Sequence, residues 1–263
     1  MPRPVVVGAP AFWGAYTARM TPLAARRLAW GECRNARDLG GLPTLDGGTI
    51  RPLALIRSDN HDRLGESGVA ALRRAGVRRV VDLRSTWEAE RFPSPLRNGP
   101  EYLNVPLFDE SDSEGQALVR EAATLLDIYL IMLERYPRHV VKALQAIAEA
   151  PVGGVAVHCH AGKDRTGSVV ALALSVAGVS PEVIAEDFAW TDECLGQHYA
   201  EELAALPDDA ARARWRTFQH AGAETMLAVL GHLQEKYGSV EGYLRAGGMD
   251  DETFQQLRIR LRA

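Results

Sequence analysis

Apolar residues recur at helical spacing over Glu66–Ala75, where Gly76 follows to end the helix, and then run almost unbroken from Val77 to Leu83. The first pattern is that of a short amphipathic helix; the second is that of a β-branched strand buried on both faces of a parallel sheet. Val155–His158 is a second such strand, and it leads through a polar, glycine-containing loop into an apolar helix, Ser168–Ala177, stopped by Gly178. Tyr102–Leu107 reads as a further strand. Two more short strands, Leu42–Leu45 and Thr49–Arg57, are joined by the hairpin signal Asp46-Gly47-Gly48. Ser85 and Glu88 have the spacing of a capping box for the helix after Leu83.

The rest is helical in pattern. Thr21 and Pro22 open a helix to about Trp30, and the acidic stretch Asp109–Glu114 leads into a long helical region, Gln116–Ala150, broken near Pro137. Beyond Ser180 every segment reads as helix, with starts at Ser180-Pro181, near Asp208 and at Asp250, and stops near Gly238 and Gly247-Gly248. The expected fold is therefore α/β, a central mostly parallel sheet flanked by helices with a helical C-terminal half. It is taken as a single domain over 1–263, with 1–34 as an N-terminal arm and 180–263 as the helical part.

Composition narrows the function classes. With 46% hydrophobic and 24% charged residues, a formal charge of -4 and a pI near 6.0, the chain has material for a large core. It has no basic excess to suggest nucleic acid or stable membrane association. The three cysteines, Cys33, Cys159 and Cys194, are odd in number and widely spaced, which argues against a disulfide framework and for a reducing compartment. Arg3 followed by the apolar stretch Pro4–Tyr16 loosely resembles a secretion signal, but two prolines and no leucine make a poor apolar core for one. Cytoplasmic localisation is the expectation, and a non-classical route of secretion stays open. His61, His139, His198, His220 and His232 show no metal-ligand spacing, so no metal and no cofactor is assigned.

The chemistry concentrates in His158-Cys159-His160-Ala161-Gly162-Lys163-Asp164-Arg165-Thr166-Gly167. Cleaving a phosphate monoester by covalent catalysis needs an ionised nucleophile, donors for three phosphate oxygens, and an acid for the leaving oxygen. Cys159 at a helix N-terminus beside Arg165 is placed to be a thiolate. The five residues between them, His160 to Asp164, suffice to wrap once around a tetrahedral anion with their backbone N–H groups. Gly162 and Gly167 tolerate the backbone angles of such a loop, and Arg165 offers a planar fork to two phosphate oxygens. Thr166 places a hydroxyl beside the sulfur, suited to Cys159 as a leaving group, and His158 lies behind the loop. A core thiol would not call for this set of neighbours. A nucleotide P-loop would need glycine at Val157 and Ser or Thr at Asp164.

The ten residues resemble the Cys-x5-Arg signature of the tyrosine phosphatase superfamily. In the form His-Cys-x-x-Gly-Lys-Asp-Arg-Thr-Gly they are similar to the bacterial tyrosine and lipid phosphatases of the protein tyrosine phosphatase B type. Asn35–Gly41, Arg57-Ser58-Asp59, Val81–Ser85 and Gly238–Arg245 resemble further elements of that family in matching order, roughly over residues 30–260; Ala36 departs, standing where an aromatic is expected. The resemblance implies a protein-tyrosine phosphatase working through a phosphocysteine. Its implied substrate class is broad: phosphotyrosine proteins, phosphoinositides as the family associates them with a lysine at the place of Lys163, and phosphoserine and phosphothreonine as a further extension. Residues 187–199 and the helix after Asp208 match the family's helical lid in position, with plain packed helices as the other reading.

The proton donor is the open question. Strand C-termini form the rim of such sheets, which places Asp82 and Asp109 near Cys159. Asp82 is the first choice, within Val81–Ser85, its alternative role being a partner for Arg84 or Arg165. Asp109 and Asp164 follow. Two other classes remain for the loop: a phosphate-binding module without turnover, and another Cys-x5-Arg activity such as arsenate reduction or sulfur transfer.

Overall fold

The computed structural model describes residues 22–263. Thr21 as a helix cap and the signal-like stretch 4–16 lie outside the described residues. Five strands form one sheet: β1 (Arg37–Asp38), β2 (Leu55–Ser58), β3 (Val77–Asp82), β4 (Tyr102–Asn104) and β5 (Gly154–His158). Their order is β1-β2-β5-β3-β4, with only β1 against β2 antiparallel. The most apolar strand, β5, is central and fully buried. Asp82 and Ser58 both pair with His158 in register, so the C-terminal ends of β2, β3 and β5 open on the same edge as Cys159.

Side chains alternate across the sheet, as the pleat requires. Leu55, Val81, Val155 and Val157 face a large core, whereas Ile56, Val80 and Ala156 face a smaller one with Trp30, Ala36 and Leu72. Twelve helices are described: α1 (Leu23–Arg26), α2 (Gly65–Arg74), α3 (Thr86–Arg91), α4 (Ser113–Glu121), α5 (Leu125–Arg135), α6 (Pro137–Ala148), α7 (Asp164–Val176), α8 (Pro181–Ala205), α9 (Asp209–Gln219), α10 (Ala223–Tyr237), α11 (Val240–Ala246) and α12 (Asp251–Leu261). The fold is α/β, with a mostly parallel sheet and a helical C-terminal half.

The departures from the expected elements have local causes. The strand expected over 49–57 is interrupted because Pro52 cannot donate and Leu53 takes φ 58°, held by Asp38, whose carboxylate accepts the Leu53 N–H. Of the hairpin, the bridge Pro43–Thr49 and the backbone bonds between Leu42 and Ile50 and between Thr44 and Gly48 remain, while Ile50 also bridges to Arg262 near the C-terminus. The region 116–150 is three helices, because Thr124 and Asp127 form a capping box that restarts the chain before Pro137 does. Helix α1 is a single turn, after which Arg27 pairs with Arg37. The capping box at Ser85 and the caps at Ser180, Asp208 and Asp250 form as expected, and Gly238 ends α10 in the left-handed region. Ala36 is buried in the smaller core beside Trp30, which supplies aromatic bulk to that core. No helix among the described residues is long and apolar enough to cross a membrane.

Candidate active site

Cys159 follows the last residue of β5, and α7 begins five residues later at Asp164, so strand, loop and helix N-terminus are contiguous. Arg165 and Thr166 thus belong to the first turn of α7, earlier than the apolar pattern from Ser168 suggested. Cys159 is buried, 2% exposed. The carbonyls of the turn are drawn outward. His160 O accepts from the Asn60 N–H at 2.8 Å and Lys163 O from the Gly167 N–H at 2.6 Å. Asn35 Nδ2 donates to Ala161 O at 3.0 Å and to Gly162 O at 3.2 Å, and Arg57 Nη2 to Gly162 O at 2.8 Å. The N–H groups of residues 160–165 take part in none of these bonds, which leaves them for the inside of the turn and for an anion.

Gly162 is required on two counts. Its φ is 67°, and a Cβ there would lie 2.4 Å from Ser58 O. Gly167 serves packing instead of a special backbone angle, since its Cβ would press on the Phe188 ring at 3.0 Å.

Arg165 is held by Glu88, the capping-box residue of α3, through Nη1–Oε2 at 2.5 Å and Nη2–Oε1 at 2.9 Å. Two of the five guanidinium donors are so used, and three remain for a ligand. Burial pushes the Glu88 carboxyl up, but the hydrogen bonds and charge of Arg165 outweigh it and bring it down to about 2. Arg165 is raised above its ordinary value: Glu88 and the nearby Cys159 and Asp164 charges overcome burial. Sequence reasoning saw Glu88 only as a cap; its Oε2 also accepts the Ser85 N–H at 3.0 Å, so one carboxylate does both tasks.

Asp82 is fully buried and bound on every side. Arg84 reaches it through Nε at 2.9 Å and Nη2 at 2.6 Å, its own N–H donates at 3.0 Å, and the Tyr102 hydroxyl donates at 2.7 Å. Burial is outweighed by His158, Arg84 and these bonds, and the carboxyl is held well below the usual range. That is the placing of a partner for Arg84, the alternative role the sequence left open for Asp82 beside that of proton donor. Asp109 is held by Ser111 in its own turn and lines a separate hollow with Trp87 and Phe108. Asp164, by contrast, is partly exposed in the cavity that Arg165 and Glu88 line, and its Oδ1 accepts from the Tyr129 hydroxyl at 3.1 Å.

Lys163 is not a solvated cation. It is 1% exposed, and its Nζ donates to Phe218 O at 2.6 Å and Gln219 O at 3.2 Å, the last carbonyls of α9, where a helix end attracts positive charge. Gln219 lines the hollow at His160 and Ala161 as well as the one at Arg165, so the end of α9 stands over the loop between them. Behind the loop, His158 Nδ1 faces Cys159 O at 3.1 Å, and the His61 ring stacks on it at 4.0 Å. Burial pushes both imidazoles below their ordinary values. The Thr166 hydroxyl is buried with no hydrogen-bond partner among the described residues.

The sequence model of the tyrosine phosphatase family matches residues 28–263. The chain belongs to the tyrosine phosphatase family. It is 30% identical over 283 aligned positions to the triple specificity protein phosphatase PtpB of Mycobacterium tuberculosis, covering 90% of this chain and 98% of that one. It is also 29% identical to a tyrosine-protein phosphatase of Nostoc commune, covering 79% of this chain and 74% of the relative. A phosphatase of this family acts on a phosphorylated substrate, which agrees with a loop built to receive an oxyanion.

Besides Glu88, reading the sequence assigned no role to Asn35, Arg37, Arg57, Tyr129 or Asp187. Arg57 carried a partial signal, a charge directly after the apolar run Ala54-Leu55-Ile56 of an expected strand, since a fully buried arginine must have partners.

Proposed function

We propose that the protein hydrolyses phosphomonoesters through a phosphocysteine on Cys159, acting on phosphotyrosine proteins and, with Lys163 as a second cation, on phosphoserine, phosphothreonine and phosphoinositides. The single observation that carries this reading is the loop 159–165, with its carbonyls drawn outward and Arg165 aimed by Glu88. Cys159 attacks phosphorus in line as the ester oxygen leaves. The loop N–H groups and Arg165 hold the three non-bridging oxygens, and water then cleaves the S–P bond, with the free Thr166 hydroxyl suited to receive the departing thiolate. The broad specificity is in keeping with the name of the mycobacterial relative, a triple specificity protein phosphatase.

In this reading Asp164 replaces Asp82 as proton donor, being the one of the three candidate carboxyls beside Arg165 in the same cavity. The end of α9 acts as a lid: while Phe218 and Gln219 carbonyls hold the Lys163 amine, that amine is not free for a second phosphate, and its use requires α9 to shift. Cys159→Ser should abolish hydrolysis of p-nitrophenyl phosphate with an unchanged melting temperature. An inactive wild type would refute the enzyme and favour a binding module. A panel of phosphopeptides and phosphoinositides tests the breadth of substrates.

A further inference from the structure

Behind the loop, three arginines converge on one carboxylate. Asp187 of α8 accepts from Arg26 Nη2 at 2.9 Å and Arg37 Nε at 3.2 Å on one oxygen, and from Arg57 Nη1 at 2.9 Å on the other. Its carbonyl accepts from Arg37 Nη2 at 2.7 Å. All four side chains are at most 2% exposed. Burial pushes the Asp187 carboxyl up, yet the three cations hold it well below the carboxylate range. Arg57 is itself driven down to about 10 by burial and by the charge of Arg37.

The cluster reaches the loop by two routes. Arg57 uses its other Nη to hold Gly162 O. Arg37 donates to Asn35 Oδ1, and Asn35 Nδ2 bonds Ala161 O and Gly162 O; Asn35 is fixed in turn by Asp59, which accepts its N–H at 2.9 Å. These bonds meet at the one residue of the turn with φ 67°. A glycine there is the easiest place for a peptide to rotate, and a carbonyl turned inward would set an oxygen against the phosphate. Three guanidinium groups against one carboxylate also leave a buried excess of positive charge, which a thiolate or phosphate in the loop would offset in a medium that screens poorly.

We propose that Arg57, steadied by Asp187 and Arg37, is a positioning residue for the phosphate loop: it keeps the Gly162 carbonyl turned outward and its charge favours the anionic forms of Cys159 and of the bound ligand. The proposal rests on the hydrolase reading for its purpose. Its test does not require turnover.

The readout is the pH dependence of Cys159 alkylation by iodoacetamide, followed by mass spectrometry of the Cys159 peptide, together with orthovanadate binding. The loop is also faced by Lys163, Asp164 and Arg165 from its own end, by Glu88 from α3, Tyr129 from α5, Tyr199 from α8, His158 from β5 and Asp59 directly after β2. None of these is altered in an Arg57 variant. Arg57→Gln should move the alkylation profile at least about 1 pH unit upward and weaken orthovanadate about tenfold or more. Arg57→Lys, which keeps the charge but not the fork, should fall between it and wild type.

A folded Arg57→Gln protein with the wild-type profile and wild-type orthovanadate affinity would overturn the proposal, leaving Arg57 a clamp of the fold. If neither Arg57 variant folds, Asn35→Ala is read for orthovanadate, and unchanged affinity there overturns it equally. An inactive wild type whose Cys159 still responds to Arg57 would sink the hydrolase reading and leave the positioning role standing. An active wild type with no Arg57 dependence would do the reverse.

Discussion

The phosphate loop is bounded by two ionic systems of opposite design. On the cavity side, Glu88 and Arg165 form a pair of one acid and one base, 22% and 15% exposed, with donors left over for a ligand. On the core side, Asp187 gathers Arg26, Arg37 and Arg57, all nearly fully buried, with their terminal nitrogens bonded within the protein and the Nε atoms of Arg26 and Arg57 left without a partner among the described residues. The cavity pair can exchange partners with an incoming anion because water remains close. The core cluster cannot, because breaking any contact there leaves a dry charge unpaired. The Asp82–Arg84 pair belongs to the second design despite lying on the same edge of the sheet as Cys159. A place on that edge does not by itself give a carboxylate access to the cavity; the packing around it does.

The sharpest way to break this comparison is Arg165→Lys. Loss of the fork should reduce kcat/KM on p-nitrophenyl phosphate by about 10³-fold at nearly constant melting temperature, and a loss under tenfold would remove Arg165 from the chemistry. Asp164→Asn should come next, with kcat down about 10²-fold on a phosphotyrosine peptide and the basic limb of its pH–rate profile abolished. Retention of that limb would return the acid to another carboxyl.

Asp82→Asn should do the opposite. The basic limb is kept, while unfolding in urea shows a loss of about 3 kcal/mol from the stranded Arg84; a lost basic limb in a stable protein would restore Asp82 as the acid. The smallest effect is expected for Glu88→Gln, with kcat about tenfold lower. Glu88 is brought down to about 2 in the folded chain, so the carboxylate's contribution to stability is complete above its unfolded pKa of about 4.3. It fades as pH falls toward 2. Melting curves of wild type and Glu88→Gln should therefore differ most above about pH 5 and converge in acid.

How much was legible follows from the range of each interaction. Val155 to Gly167 could be read in order because strand, turn and helix cap are local and Cys159, the turn and Arg165 lie within seven positions. The capping box of Ser85 and Glu88 was visible for the same reason, but its second use was not: Arg165 is 77 positions away. Asn35 and Arg57 stood in recognised segments without a role, since their target is a backbone carbonyl more than 100 positions off, and a carbonyl carries no residue code. The break at Thr124 was missed although its capping box is local, because the apolar pattern continues through it.

By itself the sequence determined the contiguous strand, turn and helix that carry Cys159 and Arg165, the mostly parallel sheet and the family to which the chain belongs, all of them consequences of short-range order and of which strands are apolar enough to be central. Only the tertiary structure decided which carboxylates are open and which are closed. Asp82 and Asp164 are the same residue type on the same edge, and they are separated only by burial: one is sealed by Arg84 and Tyr102, the other stands in the cavity beside Arg165. Burial is set by every element that packs around a site, and no single segment encodes it.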